Sequence, residues 1–198
     1  MASTVRRMTR ADFAPVLDML VRAFDDDPWF NFIAGQGVRR STRMRFWLRR
    51  GLTKKTFPHG ECYMTADASA AALWIPPNSG GGKGVLAELE LRYALIRASG
   101  GNHRRVREAI RLIQDREPTV PHLELRIIAV DPSAQGQGAA DDLLRPMLEE
   151  SDHTRTPVAL ECTKQRNVAF YERFGFAVTN EIAVPAGPRL WGMWREPA

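Results

Sequence analysis

The sequence has few cysteines and no long apolar segment. Cys62 and Cys162 are the two cysteines among 198 residues, and neither lies in a Cys-x-x-Cys pair, so we expect no zinc site, redox motif or disulfide framework. No apolar run approaches the roughly 20 residues that cross a bilayer. Arg6, Arg7 and Arg10 are not followed by the apolar stretch of a secretory signal. These absences predict a cytoplasmic protein with no metal and no membrane partner.

The length and the composition fit one domain with a full hydrophobic core. A chain of 198 residues with 44% hydrophobic residues can bury such a core without metals or disulfides. Strand-like runs alternate with helical patterns, which predicts an α/β domain over 1–198 with a mixed sheet and helices on both faces. Two helical stretches over about 84–117 form an insertion before the central predicted strand, 122–130.

A glycine-rich loop follows that central strand and leads into a predicted helix that ends near Glu150. Gly136 and Gly138, with Ala139 and Ala140, leave consecutive backbone N–H groups unshielded, and the helix dipole adds partial positive charge there. This arrangement favours phosphate binding. Glycines also serve ordinary tight turns, so the loop alone leaves both interpretations open.

A second segment places an amide and a phenol on one helix face. Asn167, Phe170, Tyr171 and Phe174 are spaced i, i+3, i+4 and i+7, and Gly175 is a typical stop for the predicted helix 167–174. The alternative is a core helix with an aromatic stripe whose phenol has some buried partner. The glycine loop upstream favours the functional interpretation.

Together these segments resemble the GNAT superfamily of acetyl-CoA-dependent N-acetyltransferases. The residues Gln135-Gly136-Gln137-Gly138-Ala139-Ala140 fit the pyrophosphate motif of that family: Gln or Arg, two variable residues, Gly, one variable residue, then Gly or Ala. From Val130 to the end, the chain is most similar to the puromycin N-acetyltransferases within it. The insertion and the segment 122–124 differ from them, so puromycin is not carried over as the acceptor.

The resemblance implies a GNAT-like fold and a cosubstrate. The expected sheet is mixed, mostly antiparallel and splayed at the coenzyme site, the cosubstrate is acetyl-CoA, and a homodimer is expected. The residues expected to hold the coenzyme are Ile128, Ala129, Val130, Gln135, Gly136, Gln137, Gly138, Ala139, Ala140, Asn167, Phe170 and Tyr171.

The implied chemistry is direct transfer of the acetyl group to an amine, which needs a base for the amine and a proton for the departing thiolate. By the resemblance, Tyr171 is the general acid. A phenol with a pKa of about 10 stays protonated at neutral pH. The base is open between Glu124, Glu161, His122 and a chain of water molecules, and both glutamates also have ordinary structural interpretations at strand ends.

The acceptor is expected to contact the segment that follows the first helix. Asp27 with Trp29 and Phe30 places a carboxylate beside aromatic rings, which suits a cation with an apolar body, and His122 is a further candidate contact. In the alternative interpretation, Asp27 caps the next helical turn and Trp29 belongs to the core. The acceptor class stays open between an antibiotic-like amine, a polyamine, an amino acid and a protein N-terminus.

The whole chain has a net charge of +5, and its positive charge is concentrated in the segment 39–55. Met44, Leu48 and Leu52 recur there at helical spacing, which predicts an amphipathic helix with a solvated basic face. Long-range attraction of an anionic coenzyme is a simpler role for it than nucleic acid binding. Two other function classes stay open: a noncatalytic coenzyme-binding or regulatory module, and a protein or peptide N-acetyltransferase.

Overall fold

Seven strands form one sheet in the described part of the chain, which comprises residues 4–58, 60–79 and 85–198 of a computed structural model, without the side chains of 85–88. The strands are β1 (Val5–Arg7), β2 (Cys62–Thr65), β3 (Ala70–Ile75), β4 (Leu123–Val130), β5 (Val158–Cys162), β6 (Ala177–Ala183) and β7 (Arg189–Arg195). The helices are α1 (Phe13–Ala23), α2 (Pro28–Ala34), α3 (Arg40–Arg50), α4 (Val85–Ser99), α5 (His103–Gln114), α6 (Ala139–His153) and α7 (Val168–Glu172).

The strand order across the sheet is β1-β2-β3-β4-β5-β7-β6. The neighbours β4 and β5 run parallel, and the other neighbouring pairs run antiparallel. The predicted mixed, mostly antiparallel sheet is therefore confirmed. The register of β4 with β5 ends at the pair Leu125 and Leu160, while β4 continues beside β3 to Val130. The two parallel strands thus separate over 126–130.

A β-bulge interrupts β4 at Arg126. Trp74 of β3 pairs with Leu125 and its neighbour Leu73 pairs with Ile127, so Arg126 is the extra residue. The bulge shifts the alternation of side chains: Leu125 and Ile128, three residues apart, contact the same hydrophobic core. Glu124 precedes the bulge and therefore points away from the core that Leu125 enters.

Helices cover both faces of the sheet, as the sequence predicted. On one face, α6 inserts Leu143 and Leu144 against Trp74 of β3. On the other face, Leu20 of α1 and Met44 of α3 pack against the sheet. All five side chains are at most 1% exposed, and burial of this kind contributes about 1.5–3 kcal/mol for each large aliphatic side chain.

The alternative interpretation of Asp27 is confirmed, and two other expectations about helices were wrong. Asp27 caps the helix α2, and Pro28 occupies its first position. The predicted helix 39–55 ends as α3 at Arg50 and continues as a π-helical segment, Gly51–Thr56. The predicted helix 167–174 is reduced to α7, preceded by a 3-10 turn at Gln165–Asn167.

The predicted helical insertion corresponds to α4 and α5, joined by the 3-10 turn Gly100–Asn102. Its first predicted residue, Gly84, lies outside the described residues. Within the described ranges, no helix combines the length and the apolar character needed to cross a membrane.

Candidate active site

The loop after β4 is fixed at its start by a buried carboxylate. Asp131 Oδ1 accepts hydrogen bonds from Oγ and N–H of Ser133, at 2.7 and 3.1 Å, and its Oδ2 accepts from Arg22 Nε of α1 at 2.8 Å. The bonds from Ser133, followed by the one from Arg22, lower the pKa of Asp131 to about 2. The carboxylate is therefore ionised at neutral pH and ties the loop to α1.

The glycine loop exposes a row of main-chain donors at the N-terminus of α6. Gly136 and Gly138 have φ of +78° and +86°, a region that favours glycine, and a Cβ built at either one would meet no atom within 4 Å. Within the described residues, no acceptor pairs with the N–H groups of 136–140. An open loop with free N–H groups and a helix dipole behind it fits a diphosphate.

The open edge of β4 lies next to this loop. Ile128, Ala129 and Val130 belong to the part of β4 that has separated from β5. Val130 O accepts a hydrogen bond from Gln135 Nε2 at 3.3 Å, which links the strand end to the glycine loop. The residues predicted to hold the coenzyme on β4 and on the loop are thus neighbours in the structure.

Tyr171 lies in α7 with its ring in the core that faces α6. It is 8% exposed and contacts Phe170 and Phe176 at centroid distances of 5.2 and 6.0 Å. Its hydroxyl has no hydrogen-bond partner in the described part of the chain. Burial, with smaller effects from Cys162 and Asp27, raises the pKa of Tyr171 well above its ordinary value. The phenol is therefore protonated at neutral pH.

Asn167 lies directly before α7 and has a free side chain. Its backbone N–H donates to Lys164 O at 2.8 Å, whereas its amide makes no hydrogen bond to the described residues. Phe170 is half-buried and contacts Phe174 at a centroid distance of 5.3 Å. Although α7 is shorter than expected, Asn167 directly precedes it and Tyr171 lies within it, so the two residues remain close in the chain and in the fold.

Four charged residues meet where β4 and β5 separate. Arg126 Nη1 donates to Glu124 Oε1 at 2.5 Å, and Glu161 follows Leu160, the last residue of β5 that pairs with β4. Burial raises the pKa of Glu161 to about 7; the charge of Arg126 opposes this rise, and those of Glu124 and Glu117 add to it. Partial desolvation likewise raises the pKa of Glu117, although this residue is exposed. Of the candidate bases, Glu161 is the group whose pKa is shifted towards neutrality by its surroundings.

His122 lies just before β4, at the end of the strand opposite the glycine loop. Its Nδ1 lies 2.7 Å from Val120 O, and its ring contacts Trp194 with a centroid distance of 5.6 Å. His122 is therefore held against β7, one pair position before the start of the β4–β5 register.

The expected contact between Asp27 and an acceptor does not agree with the structure. Asp27 is 1% exposed, its Oδ1 accepts from the N–H groups of Trp29 and Phe30, and its Oδ2 accepts from Thr163 Oγ1. The neighbouring Asp26 is paired with Lys164 at 2.5 Å. The carboxylate of Asp27 is thus a helix cap because each of its oxygens has a protein donor.

The aromatic residues of α2 separate into two groups. Phe30 is 7% exposed and belongs to the core under α1, so it too does not present its ring to an acceptor. Trp29 stacks on Phe32 at a centroid distance of 5.9 Å and both remain partly exposed. A Cβ added at Gly187, in the β6–β7 turn, would lie 2.8 Å from the Phe32 ring. The Trp29–Phe32 pair thus meets the β6–β7 turn.

Sequence reasoning missed three residues of this site: Glu117, Arg126 and Thr163. Arg126 could have been suspected, because it places a second charge after Glu124 in an otherwise apolar strand. Glu117 and Thr163 lie in short connections, and no local pattern indicates that they approach Glu161 and Asp27.

Several arginines of the basic segment 39–55 make intramolecular contacts. Arg40 is 9% exposed and binds Asp25 and Asn31, while Arg45 pairs with Asp18 and Arg50 lies 3.7 Å from Glu90. Part of the positive charge that was expected on a solvated face therefore pairs with groups of the protein itself. In the described ranges, no group of three His, Cys, Asp or Glu side chains is placed to hold a metal ion.

Comparisons with known proteins agree with this geometry. Residues 106–196 match the family model of the acetyltransferase (GNAT) domain. A solved structure from Corynebacterium glutamicum, described as histone acetyltransferase HPA2 and related acetyltransferase, is 26% identical, with 100% of this chain and 98% of that chain covered and a TM-score of 0.77.

Two more distant structures share the fold alone. Arylalkylamine N-acetyltransferase 2 from Aedes aegypti is 16% identical, with 98% of this chain and 99% of that chain covered and a TM-score of 0.65. The ribosomal-protein-S18-alanine N-acetyltransferase from Escherichia coli is 14% identical, with 99% and 94% covered and a TM-score of 0.53. The matched region contains the glycine loop, the separated strands and Tyr171. Residues 106–196 of this chain therefore match a GNAT acetyltransferase domain, as expected of an acetyl-CoA-dependent acyltransferase.

Proposed function

We propose that this protein transfers the acetyl group of acetyl-CoA directly to the amine of a small molecule, and that residues 1–198 act as one GNAT-like domain. The observation that carries the proposal is the row of unpaired N–H groups at 136–140, next to the edge of β4 that β5 has left. A diphosphate held there would direct the rest of the coenzyme towards the gap between the two strands.

The coenzyme supplies the acetyl group as a thioester. The N–H groups of 136–140 hold the pyrophosphate, and main-chain groups near Ile128 and Val130 hold the pantetheine arm and polarise the acetyl carbonyl. Asn167 has an amide without a partner among the described residues and anchors the same arm from the α7 side. These contacts fix the orientation of the acetyl carbon, which lowers the entropic part of the barrier.

The transfer requires one group that accepts a proton from the amine and one group that donates a proton to the sulfur. The amine nitrogen forms a bond to the acetyl carbon while the bond from that carbon to sulfur breaks. Glu161, directly or through water, receives the proton of the amine, and Tyr171 donates its proton to the departing sulfur. Glu161 and Tyr171 lie on opposite faces of the sheet, so the gap between β4 and β5 is where both can approach one reacting centre.

The acceptor is proposed to be a small amine with an apolar body. The Trp29–Phe32 stack next to the β6–β7 turn supports an apolar contact, and the three carboxylates near the end of β5 suit a positively charged group. An antibiotic-like amine fits this description and the resemblance of the C-terminal third to the puromycin N-acetyltransferases. A peptide N-terminus is the alternative acceptor.

A thiol-release assay tests the proposal. Purified protein, acetyl-CoA and a panel of puromycin, spermidine, tryptamine, free amino acids and a short peptide would be compared for amine-dependent release of coenzyme A thiol. We expect release with at least one small amine and a mass increase of that amine by one acetyl group. Tight coenzyme binding with no release from any amine would instead support a noncatalytic coenzyme-binding module, and preference for the peptide would support a peptide acetyltransferase.

A further inference from the structure

Arg126 is the charged residue that the bulge adds to β4. Its side chain is 44% exposed and that of Glu124 is 20% exposed, and the two form an ion pair at 2.5 Å. An exposed pair of this kind adds little to stability. A bulge next to a functional site instead redirects a side chain, and here it directs the guanidinium to the end of the β4–β5 register.

The parallel register places Glu161 beside Arg126. Glu124 pairs with Ala159 and Leu125 pairs with Leu160, so Arg126 and Glu161 each follow the last pair. Glu161 points away from the core that Leu160 and Cys162 enter. It lines a small pocket together with Arg116 and Asn180, and its carboxylate has no hydrogen-bond donor among the described side chains.

The charges that face Glu161 come from two elements. Strand β4 contributes Glu124 and Arg126, and the connection after α5 contributes Arg116 and Glu117. Its partner on β7 is Gly192, and Asn180 of β6 is uncharged. With Glu124 already bonded to Arg126, the guanidinium of Arg126 places a positive charge next to a carboxylate that Glu117 and Glu124 also approach. The other nearby cation, Arg116, donates to Leu112 O.

We propose that Arg126 is a positioning residue of the acetyl transfer: anchored by Glu124, its guanidinium supplies the positive charge that keeps Glu161 ready to receive the proton of the acceptor amine. This inference rests on the proposed function. Arg126 does not touch the reacting atoms and acts through Glu161. Without it, Glu161 would share the site with Glu117 and Glu124 and would bind a proton more firmly, since like charges disfavour the ionised form.

The first test needs neither coenzyme nor acceptor. Side-chain carboxyl resonances of ¹³C-labelled glutamate would be titrated by NMR in the wild-type protein, Arg126→Gln and Arg126→Lys, with Glu161→Gln identifying the resonance of Glu161. We expect its midpoint to rise by about 1 pH unit in Arg126→Gln and to return towards the wild-type value in Arg126→Lys. Arg10→Gln, which removes an exposed charge near β1, is the control and should leave the midpoint unchanged.

The second test is the pH profile of kcat/KM with the most active amine of the panel. The acidic limb should move to higher pH by the same amount in Arg126→Gln, with the rate recovered above pH 9, while Arg126→Lys restores the limb. An unmoved Glu161 resonance, or an equal loss of rate at every pH in both variants, would overturn the role of Arg126. Absence of thiol release from the wild type with every amine would overturn the proposed function itself, and the role of Arg126 with it.

Discussion

Thr163 and Asp27 join two connections that border the site: Thr163 Oγ1 donates to Asp27 Oδ2 at 2.5 Å. The bond links the residue after β5 to the residue that caps α2. Asp27 Oδ1 accepts from the N–H groups of Trp29 and Phe30, which fixes the start of α2. The same buried carboxylate therefore connects α2 to the segment that leads from β5 to α7.

Two substitutions of Asp27 distinguish a role in capping α2 from a role in binding the acceptor amine. Asp27→Asn should keep the unfolding free energy and the KM for a cationic acceptor near their wild-type values, because asparagine caps helices as well as aspartate does. Asp27→Ala should lower the unfolding free energy by about 1–2 kcal/mol. Urea unfolding and steady-state kinetics check both. Asp67→Ala, which removes a similar turn cap at Ser69, is the control, and a large rise of KM in Asp27→Asn alone would show that the charge does contact the acceptor.

Gly138 is expected to be required for coenzyme binding. Alanine at this position should strain the backbone by about 1–2 kcal/mol and disturb the N–H groups of the loop, so affinity for coenzyme A should fall. Gly37 has φ of +94° and similar open space around a Cβ position, which makes Gly37→Ala a matched control with the same strain outside the loop. Calorimetric titration and thermal unfolding of both variants distinguish the effects, and equal coenzyme affinities would contradict the proposed pyrophosphate site.

Tyr171→Phe should reduce kcat by about 10²-fold or more, the usual contribution of a general acid, without a change in coenzyme affinity. The unfolding free energy should hardly change, since the hydroxyl makes no hydrogen bond to the described residues and the ring remains. Tyr93→Phe, at an exposed tyrosine of α4, is the control for loss of a phenol. An undiminished kcat would exclude Tyr171 as the proton donor.

Asp131 should make stability depend on pH. Its pKa of about 2 lies below the ordinary aspartate value of 3.8, so its ionised form stabilises the folded state fully above about pH 4, and this contribution is lost as the pH falls towards 2. Asp131→Asn should therefore cost about 1–3 kcal/mol at pH 7 and progressively less at pH 4 and pH 3. Urea unfolding at the three pH values measures this, with Asp18→Asn, in an exposed ion pair, as the control. A difference independent of pH would exclude the charge as its cause.

Local sequence patterns were sufficient to predict the helices and strands whose apolar residues recur with strong periodicity. The central strand, α6 and the helical insertion lie close to their predicted bounds, because alternating or helical apolar spacing reports which face each element buries. The glycine loop was equally readable, since few residue types leave main-chain N–H groups open. The start of α2 was among the interpretations of Asp27, because an aspartate before proline is a typical helix start.

The local order of the sequence was enough to indicate the coenzyme site that we propose, because a strand, a glycine loop and a helix N-terminus are consecutive in the chain. The proposed acceptor side depends on tertiary contacts. The second oxygen of Asp27 is bound by Thr163 from the end of β5, and Arg126 lies beside Glu161 because of a bulge and a parallel register. These contacts join residues far apart in the chain, and their pairing depends on how the strands align and not on any local pattern.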